Sequence, residues 1–215
     1  MKRLAVLLAL VMTVGLVGCG NSDTQSKTET KSETKEETTT EEAFEGAYVV
    51  NADYVKENLD DIILVDARGE DAANKETIKG AIPIAWQYLA TCEDGKSGDA
   101  NWGCILDTER LSERLGEKGL DPNKEIVLFA AAQNGWGDDG RIAWELIAAG
   151  YKDVKMVDGG FDALKEAGIE TAKGGSEPKA VDVKIDSIDT THVINTDELK
   201  ANYDDYKVVD VRADE

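Results

Sequence analysis

The chain has 215 residues, with 44 acidic against 24 basic side chains and a formal net charge of −20 at pH 7. That length accommodates one full domain and part of a second. Such a charge repels phosphate backbones, which argues against nucleic-acid binding, and it disfavours anionic ligands outside a locally basic pocket.

The chain opens on a charged pair, Lys2 and Arg3, followed by a short apolar run over residues 4–14 and then Leu16-Val17-Gly18-Cys19. This is a secretory signal, too short and wrongly flanked for a stable membrane span, and it resembles a bacterial lipoprotein signal. The resemblance implies removal of residues 1–18, acylation of Cys19, and a lipid anchor on the extracytoplasmic face of the cell membrane. Unprocessed, Cys19 would instead be a free thiol in an ordinary signal. Residues 19–45 are rich in Thr, Glu, Lys and Ser with almost no apolar side chains. They cannot bury enough surface to offset chain entropy, and a disordered tether of roughly 25–30 Å root-mean-square length is expected.

A folded domain is expected over residues 46–170. Tyr48-Val49-Val50 reads as a short strand, and Asn51 as the cap of a helix through Asn58. Ile62-Ile63-Leu64-Val65 is a continuous apolar run, the pattern of a strand buried on both faces, and it ends in Asp66-Ala67-Arg68. Residues 79–84 suit a short or edge strand. Residues 91–105 form a Gly/Asp-rich insertion bounded by Cys92 and Cys104. Asp107 or Thr108 caps a helix to Lys118, with Gly119 as its stop. Then come an apolar strand (Ile126-Val127-Leu128-Phe129), a loop over 130–140, an amphipathic helix over 141–149 ended by Gly150, and a strand from Val154 to Val157. Asp158-Gly159-Gly160-Phe161 closes the unit. Strands alternating with helices predict an open, mainly parallel α/β sheet covered by helices on both faces. Residues 171–190 contain Gly, Ser, Lys and Pro and read as a linker.

In such sheets, ligands and chemistry sit at loops that follow the carboxyl ends of strands. The loop at 130–140 therefore marks the candidate pocket, with Gly135, Trp136, Gly137, Asp138, Asp139 and Gly140 in it and Arg141 opening the helix. None of these residues is a nucleophile. Asp138 or Asp139 reads as an N-cap or first-turn charge, or alternatively as part of a divalent-cation site. Trp136 either packs on its own loop or covers the pocket. Arg68 follows Asp66 at a strand end, where a structural ion pair is one reading and a guanidinium orienting an oxyanion the other. Cys92 and Cys104 bracket a short loop in an exported chain, so a structural disulfide worth roughly 2–3 kcal/mol is expected, with a redox-active pair as the alternative. His192 is the only histidine, so no histidine-based triad or histidine-rich zinc site can be assembled.

Residues 49–68 and 193–212 align without gaps at an offset of 144 positions, Asp66 corresponding to Asp210. Asn51, Asp53, Lys56, Asn58, Asp60, Asp61, Asp66 and Arg68 recur as Asn195, Asp197, Lys200, Asn202, Asp204, Asp205, Asp210 and Arg212. Residues 191–215 are read as the truncated start of a second copy of the domain, which gives Arg212 the same two readings as Arg68.

Several of these features resemble the rhodanese-like family, in particular tandem thiosulfate sulfurtransferases. They are the Asp66-Ala67-Arg68 strand end, the Gly80-Ala81 turn before Ile82-Pro83, the helix ending in Ala149-Gly150-Tyr151, and the Asp158-Gly159-Gly160-Phe161 closure. The resemblance implies sulfane sulfur transfer from thiosulfate or another donor, through a cysteine placed directly after the central strand, with no cofactor. Two departures stand out. Thr77-Ile78-Lys79 occupies the turn where family members often have histidine. Ala130-Ala131-Ala132-Gln133 follows Phe129, with Ala130 at the cysteine position. Alanine cannot carry a persulfide. The chain thus resembles the non-catalytic first domain of a tandem enzyme whose nucleophile lies in the second. The alternative expectation is a catalytically inactive rhodanese-like module that binds a small anion or a protein partner at the cell surface.

Overall fold

The computed structural model describes residues 47–132 and 135–211. The expected signal, Cys19 and the expected tether lie outside the described residues, as does Arg212. Among the described residues no helix is long and apolar enough to cross a membrane.

A five-stranded sheet organises the domain, in the order β1-β6-β5-β2-β4. Its strands are β1 (Val49–Val50), β2 (Ile63–Asp66), β4 (Ile82–Pro83), β5 (Ile126–Phe129) and β6 (Val154–Val157). Every pairing in it is parallel. β2 and β5 run in register from Ile63 opposite Ile126 to Asp66 opposite Phe129. Parallel neighbours demand crossovers, and helices supply most of them. The helices are α1 (Ala52–Asn58), α2 (Glu70–Ala73), α3 (Thr108–Glu117), α4 (Asp138–Ala148), α5 (Gly160–Glu166) and α6 (Thr196–Ala201). The expected α/β architecture, with short β4 at an edge, is the one found.

Strand alternation divides the core in two. Val65, Ile126 and Leu128 pack with Leu111 and Leu115 of α3 and with Ile142 and Leu146 of α4. Leu64, Val127 and Phe129 pack on the other face with Val55 of α1 and with Phe161 and Leu164 of α5. Continuous apolar strands are what this double burial requires.

The caps are local chemistry. The Asn51 side chain accepts from the Tyr54 N–H at 2.8 Å, and that of Asp107 from the Arg110 N–H at 3.0 Å. Gly119, at φ +68°, follows α3 in the left-handed region that favours glycine.

Residues 171–190 depart from the linker reading. Within them β7 (Thr171–Ala172) pairs antiparallel with β3 (Thr77–Ile78). Val183 and Ile185 are buried in the α3–α4 core, with Val181 and Ile188 packed against it. The Val181 N–H donates to the Gly116 carbonyl at 3.0 Å, and the Ile185 N–H to the Ser112 hydroxyl at 2.9 Å. Composition concealed an alternation, Val181-x-Val183-x-Ile185, that lays one apolar edge along α3. The close approach depends on a missing side chain: a Cβ on Gly116 would lie 2.7 Å from the Val181 carbonyl oxygen. Gly116→Ala is therefore expected to lift this strap and cost about 1–3 kcal/mol in urea unfolding. An unchanged midpoint would contradict it.

α6 carries the same local bonds as α1, in the segment whose sequence matches residues 49–68. Asn195 caps α6 by accepting from the Glu198 N–H at 2.9 Å, as Asn51 does for Tyr54. The Asn202 amide bonds the Glu198 carbonyl as the Asn58 amide bonds that of Tyr54. Residues 207–211, which match the region of β2, form no strand. Val209 is 72% exposed, whereas its counterpart Val65 is 0% exposed inside the sheet.

Candidate functional site

β5 delivers the chain into the loop at Ala130, and α4 receives it at Asp138. The helix begins three residues before the expected Arg141, because Gly137 adopts φ +74° and turns the chain into it. Neither aspartate is the N-cap. Gly137 holds that position without a side-chain bond, and Asp138 and Asp139 occupy the first turn, where their charge complements the helix N-terminus. Burial pushes both carboxyls above the ordinary range. Asp139 adds to the rise at Asp138, while the Gly140 N–H, donating at 2.9 Å, partly offsets it at Asp139.

Two close backbone approaches fix the loop. The Phe161 N–H donates to the Ala130 carbonyl at 2.9 Å, and a Cβ on Gly160 would collide with that same oxygen. A Cβ on Gly135 would collide with the Ala131 carbonyl. Ala130 itself is buried in the core, while Ala131 and Ala132 are exposed.

An open hollow of about 500 Å³ lies beside the loop, lined by Trp86, Gln87, Trp136, Gly137, Asp138 and Arg141. Trp136 is 96% exposed, so the reading in which it packs on its own loop is not what the structure has. Trp86, from a 3₁₀ turn at Trp86–Leu89, also lines the hollow and meets Trp102 edge-on at 5.7 Å. Sequence reasoning missed Trp86, since a stretch fifty residues upstream gives no sign of lying beside the loop.

Arg141 is committed inward. Its Nε donates to Glu145 Oε1 at 2.9 Å, and its second terminal nitrogen to the Gly103 carbonyl at 2.8 Å. Its guanidinium lies 5.3 Å from the Trp86 ring centre and 5.0 Å from that of Trp144. Glu145 is fully buried, and its Oε2 has no partner among the described residues. Burial pushes the Glu145 carboxyl up to about 7, against the opposing pull of Arg141.

Arg68 stands apart and lines a separate hollow with Tyr88 and Lys118. Its guanidinium grips Asp66 through two bonds of 2.9 and 2.7 Å, donates to the Glu76 carbonyl, and covers the Phe161 ring at 3.8 Å. Asp66 also accepts from the Thr77 hydroxyl at 2.6 Å. The structural ion pair is thus the reading that fits Arg68, and Thr77 has a structural place in it.

Cys92 and Cys104 are free thiols here, against the expected disulfide. They flank an antiparallel bridge between Ala90 and Ile105, and the Thr91 hydroxyl accepts from the Cys104 N–H at 3.0 Å. Hydrogen bonds thus already close the insertion's neck. Burial raises the Cys92 thiol, with Arg141 pulling the other way, so it has little thiolate character. The described residues hold no group of three or more His, Cys, Asp or Glu that could bind a metal ion, which leaves the Asp138–Asp139 pair without further ligands.

Comparison with known proteins then places this architecture. The family model for the rhodanese-like domain matches residues 51–167, more than half the chain. The chain belongs to the rhodanese-like family. A Mycobacterium leprae protein named "Putative thiosulfate sulfurtransferase" is 26% identical to this rhodanese-like chain over 115 residues, 52% of the chain and 38% of that protein. SseA from Escherichia coli, described with the rhodanese fold of 3-mercaptopyruvate sulfotransferases, superposes with a TM-score of 0.62 at 20% identity, over 74% of this chain and 63% of SseA. The 3-mercaptopyruvate sulfurtransferase of Leishmania major gives 0.55 at 19%, over 65% of this chain and 41% of its own. The chain therefore spans less than two thirds of the length of these relatives. At such identities the structural likeness establishes the rhodanese fold.

Proposed function

We propose that this rhodanese-like domain is the non-catalytic partner in a tandem sulfurtransferase, and that the sulfur-carrying cysteine belongs to a second rhodanese-like domain. One observation carries the reading: Ala130-Ala131-Ala132 follows the central strand β5, with no thiol anywhere in the loop to α4. Sulfur transfer requires a thiolate that attacks the sulfane sulfur, expels sulfite and holds the sulfur as a persulfide. Ala130 at the nucleophile's place cannot do this. The gapless copy at 193–212 supports a second domain, and the shared capping pattern of Asn51 and Asn195 adds to that support. The signal-like start supports export and a lipid anchor at Cys19 in the cell membrane.

The chain by itself is expected to release no thiocyanate from thiosulfate and cyanide above a buffer blank. Turnover that disappears on Cys92→Ser or Cys104→Ser would overturn this. The tandem reading itself fails if the longer gene product is inactive, or if its second domain lacks a cysteine after the central strand.

A second reading is supported by the hollow beside the loop: an inactive rhodanese-like module that binds a ligand at the cell surface. Thermal-shift screening of the full chain tests it, and a flat response across small anions, metal ions and surface proteins counts against the anion and protein-partner forms of it.

A further inference from the structure

We propose that the hollow between Trp86 and Trp136 binds a small organic cation, an alkylated or quaternary ammonium group on a compact apolar body. The inference goes beyond sulfur transfer and does not depend on it.

Three observations converge on that ligand chemistry. The first is the pair of indoles. Trp86 is half-buried in one wall, and Trp136 stands 96% exposed at the rim, held there without packing of its own. Aromatic rings attract a cation through their electron-rich faces, and weakly hydrated quaternary ammonium groups lose least on entering. The molecule already uses Trp86 this way, since the Arg141 guanidinium sits 5.3 Å from its ring centre.

The second is charge. The hollow is lined by one cation and one carboxylate, and the cation is spent. Arg141 is tied to Glu145 and to the Gly103 carbonyl, so an incoming anion would have to compete with a fully buried carboxylate for it. Asp138 has no partner beyond its own backbone among the described residues. Burial and the neighbouring Asp139 already disfavour its ionised form, a penalty that a bound cation would relieve and an anion would deepen.

The third is the wider field. A chain of net charge −20 concentrates cations at its surface and repels anions. An oxyanion such as thiosulfate therefore fits this hollow poorly, although the loop stands where the rhodanese fold places its sulfur chemistry.

Isothermal titration of the full chain with tetramethylammonium chloride tests the proposal, at pH 8 where Glu145 is ionised and balances Arg141. Sodium chloride at matched ionic strength and sodium thiosulfate serve as parallel titrants. Saturable millimolar binding of tetramethylammonium is expected, with neither control saturating. Trp136→Ala and Asp138→Asn should each weaken it at least about fivefold, and Trp136→Phe should restore most of the loss. Trp136 is solvent-facing and Asp138 half-buried, and unchanged circular dichroism and a melting temperature no lower than wild type would verify the fold of each variant. Absence of saturation, equal binding by wild type and both variants, or saturable thiosulfate binding that Trp136→Ala abolishes would each overturn the proposal. The thiocyanate assay reads sulfur transfer separately, so the two can fail independently.

Discussion

Replacing Asp66 by alanine is expected to destabilise the domain by about 3–5 kcal/mol, the range for removing one partner of a buried ion pair. Asp66 ends β2 with 0% exposure and accepts four bonds, from the Arg68 N–H, two guanidinium nitrogens of Arg68 and the Thr77 hydroxyl. Truncation strands a guanidinium that is itself largely covered, stacked on Phe161, and leaves Thr77 without its acceptor. Arg68→Ala removes the other partner and should cost a similar amount. The double variant should be less destabilised than the sum of the two, because the second change removes a charge that the first left unpaired. Urea unfolding of the four proteins measures this cycle. Additive single effects would mean that Arg68 and Asp66 act separately and that Arg68 is free to serve a ligand.

Glu145→Gln should flatten the pH dependence of stability between pH 5 and 8. The sign follows from where the proton sits. The folded carboxyl titrates at about 7 against an ordinary value of 4.5, so between these values the folded state holds a proton that the unfolded state has released. Stability from this group is therefore greatest below about pH 4.5, falls as pH rises, and reaches its full penalty above about 7, near 3 kcal/mol. The cause is desolvation: Glu145 has 0% exposure and one oxygen with no partner among the described residues, and Arg141 compensates only in part. Asp138 and Asp139 push the same way and remain in the variant. Urea midpoints at unit pH steps compare the two proteins, and a variant with the wild-type slope would show that Glu145 is not the source.

The parts legible from sequence were those governed by short-range rules. Asn51 and Asp107 announced their caps because an N-cap needs only a side-chain oxygen three residues from its donor. The unbroken apolar runs of β2 and β5 announced burial on both faces. The start of α4 was misplaced because Gly137 can turn a chain into a helix without any side-chain cap. Glu145 was invisible for a different reason. An Arg followed four residues later by Glu ordinarily marks a solvated helix pair, and only tertiary packing reveals that this one is covered. Trp86 and Trp136 line one hollow although fifty residues separate them in the chain, a distance over which no periodicity speaks. The strap at 181–185 was masked by the lysines, glycines and single proline that precede its three aliphatic side chains.

That strap decides where the molecule can be cut. The family match stops at residue 167, and a fragment trimmed there would look complete by homology. It would lack Val183 and Ile185, and so expose a greasy stripe along Leu111 and Leu115. It would also forfeit the bond from the Asp189 N–H to the Ala148 carbonyl at the end of α4. Such a fragment would be prone to aggregate during expression. The smallest piece worth purifying runs through Asp189, some twenty residues beyond the boundary that similarity alone would choose.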